Sequence, residues 1–117
     1  MLYHSKNKRA EWKKAESLVA DWLISRWWTI LEKNCTLRWG ELDIVADNDE
    51  YILCLEVKMV GVIDDIMAYV TDKKMTLVKR TFQRYLRKYP STKQQRIDVV
   101  FVKDNAIRQV CENVTWS

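Results

Sequence analysis

Two apolar runs joined by four turn-forming residues leave this chain few choices: Gly40-Glu41-Leu42-Asp43-Ile44-Val45-Ala46 and Tyr51-Ile52-Leu53-Cys54-Leu55-Glu56-Val57-Lys58. Both have the alternation and β-branched content of strands. Asp47-Asn48-Asp49-Glu50 between them is turn chemistry, because Asn and Asp tolerate left-handed backbone and bond their own main chain. A β-hairpin follows, with Ala46 opposite Tyr51, Asp43 opposite Cys54 and Glu41 opposite Glu56. Opposed residues share a face, as do residues two apart. Glu41, Asp43, Glu56 and Lys58 therefore project from one side. Leu42, Ile44, Ala46, Tyr51, Leu53, Leu55 and Val57 form a core face on the other.

Three carboxylates and a lysine at one end of a hairpin need an electrostatic reason. Like charges repel, and a buried carboxylate loses hydration. A divalent cation compensates both, and hard oxygens suit Mg²⁺ or Mn²⁺. The plainer alternative pairs Lys58 with Glu56 or Asp43 on a solvated sheet end.

The rest of the chain supplies covers for this hairpin. Arg9 to about Trp28 reads as an amphipathic helix with Trp12, Ala15, Val19, Leu23 and Trp27 in its stripe. Residues 1–8 read as a flexible basic arm. Glu16 falls inside the stripe, where a charge is costly without a partner. It sits either at the stripe edge near Lys13 or aimed at the carboxylate face. Thr29 to Asn34 is a short strand, and Gly40 lets the backbone turn or approach closely. Trp39 can stack a base, although an indole in such a place is more often simply packed. Val45 and Ile52 leave the carboxylate face apolar at its far end, and the first helix can cover them.

Residues 60–71, with Gly61 and Asp64-Asp65, read as a loop, and Thr71 as the cap of a helix from Asp72 to Tyr89 stopped by Pro90. Its stripe is Leu77, Val78, Phe82, Tyr85, Leu86 and Tyr89. It also carries Lys73, Lys74, Lys79, Arg80, Arg84, Arg87 and Lys88, with no acid after Asp72. Exposed faces are usually mixed in sign, so a one-sign face favours phosphate contact over mere solubility. Gln94 to Val102 is a strand apolar on both faces, hence central, and 106–116 can add an edge strand.

At 117 residues the chain makes one domain, 1–117, with a single core. The excess of 20 Lys and Arg over 16 Asp and Glu is mild, so its distribution matters more than its sum. Cys35, Cys54 and Cys111 fit neither a zinc spacing nor a disulfide framework, and His4 alone builds no site. No run is apolar enough to span a membrane and no signal-peptide core is present, which points to the cytoplasm.

Asp43 followed by Glu56-Val57-Lys58 at the end of an apolar strand resembles the PD-(D/E)xK nuclease motif. The wider set is more particular: Leu31-Glu32-Lys33-Asn34, residues 40–46, Leu55-Glu56-Val57-Lys58 and Arg96-Ile97-Asp98-Val99-Val100. In this order it resembles the YraN-type family, which is similar to archaeal Holliday-junction resolvases, over about Ala10 to Val102. The resemblance implies an α/β, restriction-endonuclease-like core, a mixed sheet flanked by helices in αβββαβ order. It implies a Mg²⁺- or Mn²⁺-dependent endonuclease acting on DNA phosphodiesters, branched or damaged DNA included. Asp43, Glu56 and the Val57 carbonyl would hold the metal, Glu16 would complete its shell, Lys58 would serve the attacking water, and Glu41 would support them. Lys73, Lys74, Arg80 and Arg84 would bind nucleic acid, with Lys74 matching a basic residue at this helix start. Relatives of this kind also imply a homodimer. The sequence departs from the pattern at Leu42, where a proline is usual, at Met59-Val60, where a basic residue is common, and around Thr36. A nucleic-acid-binding module of nuclease fold without turnover is the competing reading, and a protein-interaction scaffold using exposed tryptophans is a third.

Overall fold

The computed structural model describes residues 2–60 and 72–114, with side chains from Arg9 onward and, after the gap, from Lys73. Of the expected loop at 60–71 all but Val60 lies outside them, as do its Thr71 cap and the last three residues. The elements are α1 (Leu2–Ser25), β1 (Thr29–Leu37), β2 (Gly40–Asp47), β3 (Tyr51–Met59), α2 (Asp72–Lys88), β4 (Gln94–Lys103) and β5 (Ala106–Cys111). The sheet runs β1-β2-β3-β4-β5, with β3 and β4 parallel and every other pair antiparallel. A parallel pair needs a crossover, and the segment containing α2 makes it. The result is a mixed five-stranded sheet between two helices, compatible with a restriction-endonuclease-like fold.

The two helices divide the sheet's apolar side chains between them. Ala15, Val19, Ala20 and Leu23 of α1 pack on Ile44, Ala46, Leu53, Leu55, Val57, Val100 and Val102. Met75, Phe82 and Tyr85 of α2 pack on Leu42, Val45, Ile52, Cys54, Ile97, Val99 and Phe101. So Val45 and Ile52 are covered by α2, not by the first helix as expected. β4 is buried on both faces between β3 and β5, the central place its double apolarity demands.

The β2–β3 hairpin forms two residues out of the expected register. Ala46 pairs with Leu53, Val45 with Cys54 and Ile44 with Leu55. The turn is tighter because the Asn48 side-chain oxygen accepts from the backbone N–H groups of Glu50 and Tyr51. A slip of two leaves the alternation from Ile44 to Val57 unchanged, but Leu42 departs from the expected core face: it packs under α2, opposite Ile44, and Glu41 faces the α1-side cleft. Extended one step, the register sets Asp43 across from Glu56 instead of Cys54.

Three boundaries differ from expectation. The helix of α1 starts at Leu2, within the stretch expected as a loose arm, and stops at Ser25. Trp28 N–H bonds back to the Leu23 carbonyl and Trp27 N–H to Ile24, a Schellman closure whose left-handed position is filled by Trp27 at φ 71°. Trp27 thus leaves the expected stripe and is 88 % exposed. β1 is longer than expected and forms its own hairpin with β2, Leu37 pairing with Gly40 across Arg38-Trp39. In α2, Met75 is buried, whereas Leu77 and Tyr89 of the expected stripe are exposed.

Candidate functional site

β2 changes character at Asp43. Leu42 packs beneath α2, yet Ile44, two residues on, packs beneath α1. Residues two apart on a regular strand share a face, so the alternation breaks at Asp43. Pairing with β3 ends at the adjacent Ile44, while pairing with β1 continues to Gly40. At this break the Asp43 and Glu56 side chains replace ladder bonds. The Val57 N–H donates to Asp43 Oδ2 at 2.9 Å, and the Asp43 N–H donates to Glu56 Oε2 at 3.3 Å. Cys54 Sγ lies 3.9 Å from the same Glu56 oxygen.

Both carboxylates are buried, Asp43 at 7 % and Glu56 at 6 % exposure. Burial is the largest influence on each and disfavours the charged form. Asp43 is pushed up to about 6, with Glu16 and Glu41 adding repulsion against the opposing pull of the Val57 N–H and Lys58. Glu56 is pushed up to about 8, with Asp43 the strongest repelling charge and the Asp43 N–H and Lys58 opposing. Burial and Glu56 also drive the Cys54 thiol well above its usual range.

Glu16, from α1, is 2 % exposed. Its Oε1 accepts from Asn34 Nδ2 at 3.0 Å, and its Oε2 has no hydrogen-bond partner among the described residues. A buried oxygen left this way costs about 1–3 kcal/mol. Of the two positions expected for Glu16, the solvated stripe edge is not the one it takes: it is buried and bonded to Asn34 of β1. Asn34 was not singled out as a site residue. It sits in left-handed backbone on β1, φ 53°, a conformation Asn tolerates. It stands in the first block of the family resemblance, but its contact with Glu16 spans 18 positions and is not readable from the sequence.

A cleft of about 950 Å³ opens between α1 and the ends of β3 and β4. Glu16, Asn34 and Glu41 line it, with Lys13 and Lys103 on its walls; Asp43 and Glu56 do not line it. Lys58 is half-buried and makes no ion pair with either acid among the described residues, so the plainer sheet-end pairing does not form. Val57 is fully buried and donates its N–H to Asp43. Asp98, from the fourth sequence block, stays apart. Arg96 holds it through two bonds, and it accepts from the Asn113 N–H. Lys73, Lys74 and Arg80 are exposed on α2, while Arg84 is half-buried and donates to the Arg38 carbonyl at 3.0 Å. No group of three His, Cys, Asp or Glu side chains among the described residues is gathered closely enough to hold a metal ion as they stand.

The profile of a family described as "Uncharacterised protein family UPF0102" matches residues 15–102. The chain belongs to the UPF0102 family. This YraN-type family lies within the PD-(D/E)xK nuclease superfamily. A UPF0102 protein of Campylobacter fetus is 30% identical over 103 residues, covering 88% of this chain and 91% of its own. One of Fervidobacterium nodosum is 34% identical over 114 residues, covering 94% and 84%. One of Nostoc is 39% identical over 104 residues, covering 80% and 74%. The UPF0102 match takes in Glu16, Asn34, Asp43, Glu56, Lys58 and all of α2, the parts that build and flank the carboxylate cluster.

Proposed function

We propose that this UPF0102 protein is a metal-dependent endonuclease hydrolysing DNA phosphodiester bonds, branched or damaged DNA among its substrates. The observation that carries the reading is the buried pair Asp43 and Glu56, meeting where β2 leaves β3, with a third buried carboxylate, Glu16 of α1, that keeps one oxygen unpartnered among the described residues. Uncompensated negative charge of this kind suits a hard cation. Asp43 and Glu56 would hold Mg²⁺ or Mn²⁺, helped by Glu16 and the Val57 carbonyl. When bound, such an ion supplies a water of lowered pKa and Lewis-acid stabilisation of the phosphorane.

The chain's own residues do the rest. Lys58, unpaired with the acids yet close enough to pull both of their pKa values down, orients the attacking water and offsets charge developing on the phosphate. Glu41 supports the cluster from the cleft wall. The scissile phosphate would approach the β2–β3 break where Asp43 and Glu56 meet, next to the cleft that Glu16 and Glu41 line, and Lys73, Lys74, Arg80 and Arg84 of α2 would hold the flanking backbone. Its three free cysteines suit the reducing cytoplasm, and no helix among the described residues is long and apolar enough to cross a membrane. A homodimer would present two such sites to a symmetric junction, and light scattering would then give twice the chain mass at micromolar concentration. A single-chain mass throughout that range refutes it.

The test is cleavage of labelled duplex, single-stranded and four-way-junction DNA in Mg²⁺ or Mn²⁺. Wild type cuts at least one, and Asp43→Ala loses the activity. Equal cleavage by that variant identifies a contaminant and ends the hydrolase reading. A second reading, a nucleic-acid-binding module without turnover, draws on the absence of a ready three-acid group among the described residues. It predicts DNA binding with no Mn²⁺ heat by calorimetry, and an Mn²⁺ isotherm that disappears in Asp43→Ala counts against it.

A further inference from the structure

Trp39 occupies a place that neither packing nor turn chemistry accounts for. It is the second residue of the β1–β2 turn, with φ 74°, a conformation that is strained for a bulky side chain and free for glycine. A glycine stands next door at position 40, but with no positive φ. It is needed there because a Cβ would clash with Thr81 Oγ1 of α2. The strained position went to a tryptophan whose ring is 68 % exposed, so the indole is presented rather than packed. Local strain at an exposed residue is a pointer to function.

The surroundings say what the indole meets. The Arg38 guanidinium lies 5.2 Å from its ring centroid, and Arg84 of α2 fixes the turn through the Arg38 carbonyl. Arg87 and Lys88 occupy the last turn of the same helix. Among the described residues none of Arg38, Arg84, Arg87 and Lys88 pairs with an acid. An exposed indole with Arg38 over one face and Arg84 at the same turn is complementary to a nucleobase on the other face with its phosphates on the two cations. Four strand residues at about 3.3 Å each put Trp39 roughly 13 Å from Asp43 along β2. A strand whose backbone reaches the carboxylates therefore has neighbouring bases at this turn.

We propose that Trp39 is a stacking platform for an unpaired nucleobase, with Arg38 and Arg84 taking the adjacent phosphates, so that the protein selects nucleic acid with single-stranded or unstacked bases beside the cut. Base pairs inside a duplex hide the faces that such a platform uses. The inference rests on the nucleic-acid reading above but not on cleavage.

The experiment is metal-free fluorescence anisotropy with labelled blunt duplex and with the same duplex carrying a single-stranded tail that contains 2-aminopurine. Trp39→Gly relieves the backbone, so its melting temperature stays level or rises. Its affinity for tailed DNA falls roughly 5- to 100-fold, the range that losing one stacked base produces. Blunt-duplex affinity is unchanged, 2-aminopurine quenching is lost, and Trp39→Phe retains most of both. Trp27→Gly, a second exposed indole in left-handed backbone at the other end of β1, leaves binding unchanged. Equal affinity of wild type and Trp39→Gly for tailed DNA overturns the proposal while leaving the endonuclease reading intact. If Trp39→Gly instead changes the oligomeric mass and not the binding, the indole serves contact between copies. Failure of wild type to bind any oligonucleotide at low salt overturns both readings.

Discussion

At the scale of single residues, the Asp43–Glu56 pair sets a measurable pH dependence. Their ordinary values are 3.8 and 4.5, and in the fold they rise to about 6 and about 8, chiefly through burial. Between these limits the native pair binds more protons than the unfolded chain, so stability falls as pH rises. Their contribution is present in full below about pH 4 and lost progressively up to about pH 8. The melting temperature of metal-free protein should therefore decline across this window, and Glu56→Gln, which cannot ionise, should flatten the decline. An unchanged slope in the variant would place the destabilising charge elsewhere. Glu56 and Lys58 were legible in the sequence because a local triplet at the end of an apolar strand fixes them, and Asp43 because it lies on the other strand of the same hairpin, although the alternation used to place it breaks at that residue. The Asn34–Glu16 contact and the unpartnered Glu16 oxygen were not, because they exist only where β1 meets α1.

At the scale of elements, the docking of α2 on β2 hinges on a close contact. Thr81 is buried on α2, its hydroxyl donates to the Leu77 carbonyl at 2.9 Å, and it leaves no room for a Cβ at position 40. Gly40→Ala should destabilise by about 1–3 kcal/mol, the usual range for overpacking. Thr81→Ala removes the two nearest clashing atoms, so the double variant should recover much of that loss. Denaturant unfolding of the four proteins gives a coupling energy, expected at about 1 kcal/mol or more for touching residues. Simple additivity would show that the turn adjusts without α2. Periodicity gave the existence of both helices and most of their inward stripes, but not Met75, and it wrongly included Trp27, Leu77 and Tyr89, which sit exposed. It could not say which helix takes which face, because Val45 and Ile52 look alike to either partner. Nor could it fix the hairpin register, since a slip of two leaves the alternation pattern unchanged. The β1–β2 hairpin escaped notice for another reason: its turn is Arg38-Trp39, with none of the Gly, Asn or Asp expected of a two-residue loop.

At the scale of the whole molecule, one apolar cluster lies on each face of the sheet, and Asp43 and Glu56 are buried where β2 leaves β3. The protein as described keeps charge-bearing groups in its interior without a full set of partners. Its stability should therefore depend on whatever neutralises them, either protons at low pH or a divalent cation at high pH. Protons and the cation compete for the same oxygens, so the stabilisation by cation grows as pH rises. A ligand at about a hundred times its dissociation constant adds roughly 2.7 kcal/mol. Differential scanning fluorimetry with saturating Mn²⁺ should show a shift in melting temperature of several degrees at pH 8 that shrinks towards pH 5. Asp43→Asn and Glu56→Gln should each reduce the shift at pH 8, while Asp98→Asn, placed where Arg96 already supplies the counter-charge, should leave it in place. This readout is independent of turnover, so it separates a metal-binding nuclease fold from one that has lost its ion. A melting temperature insensitive to Mn²⁺ at pH 8 would mean that the three acids are held apart in solution, and the binding-module reading would then stand.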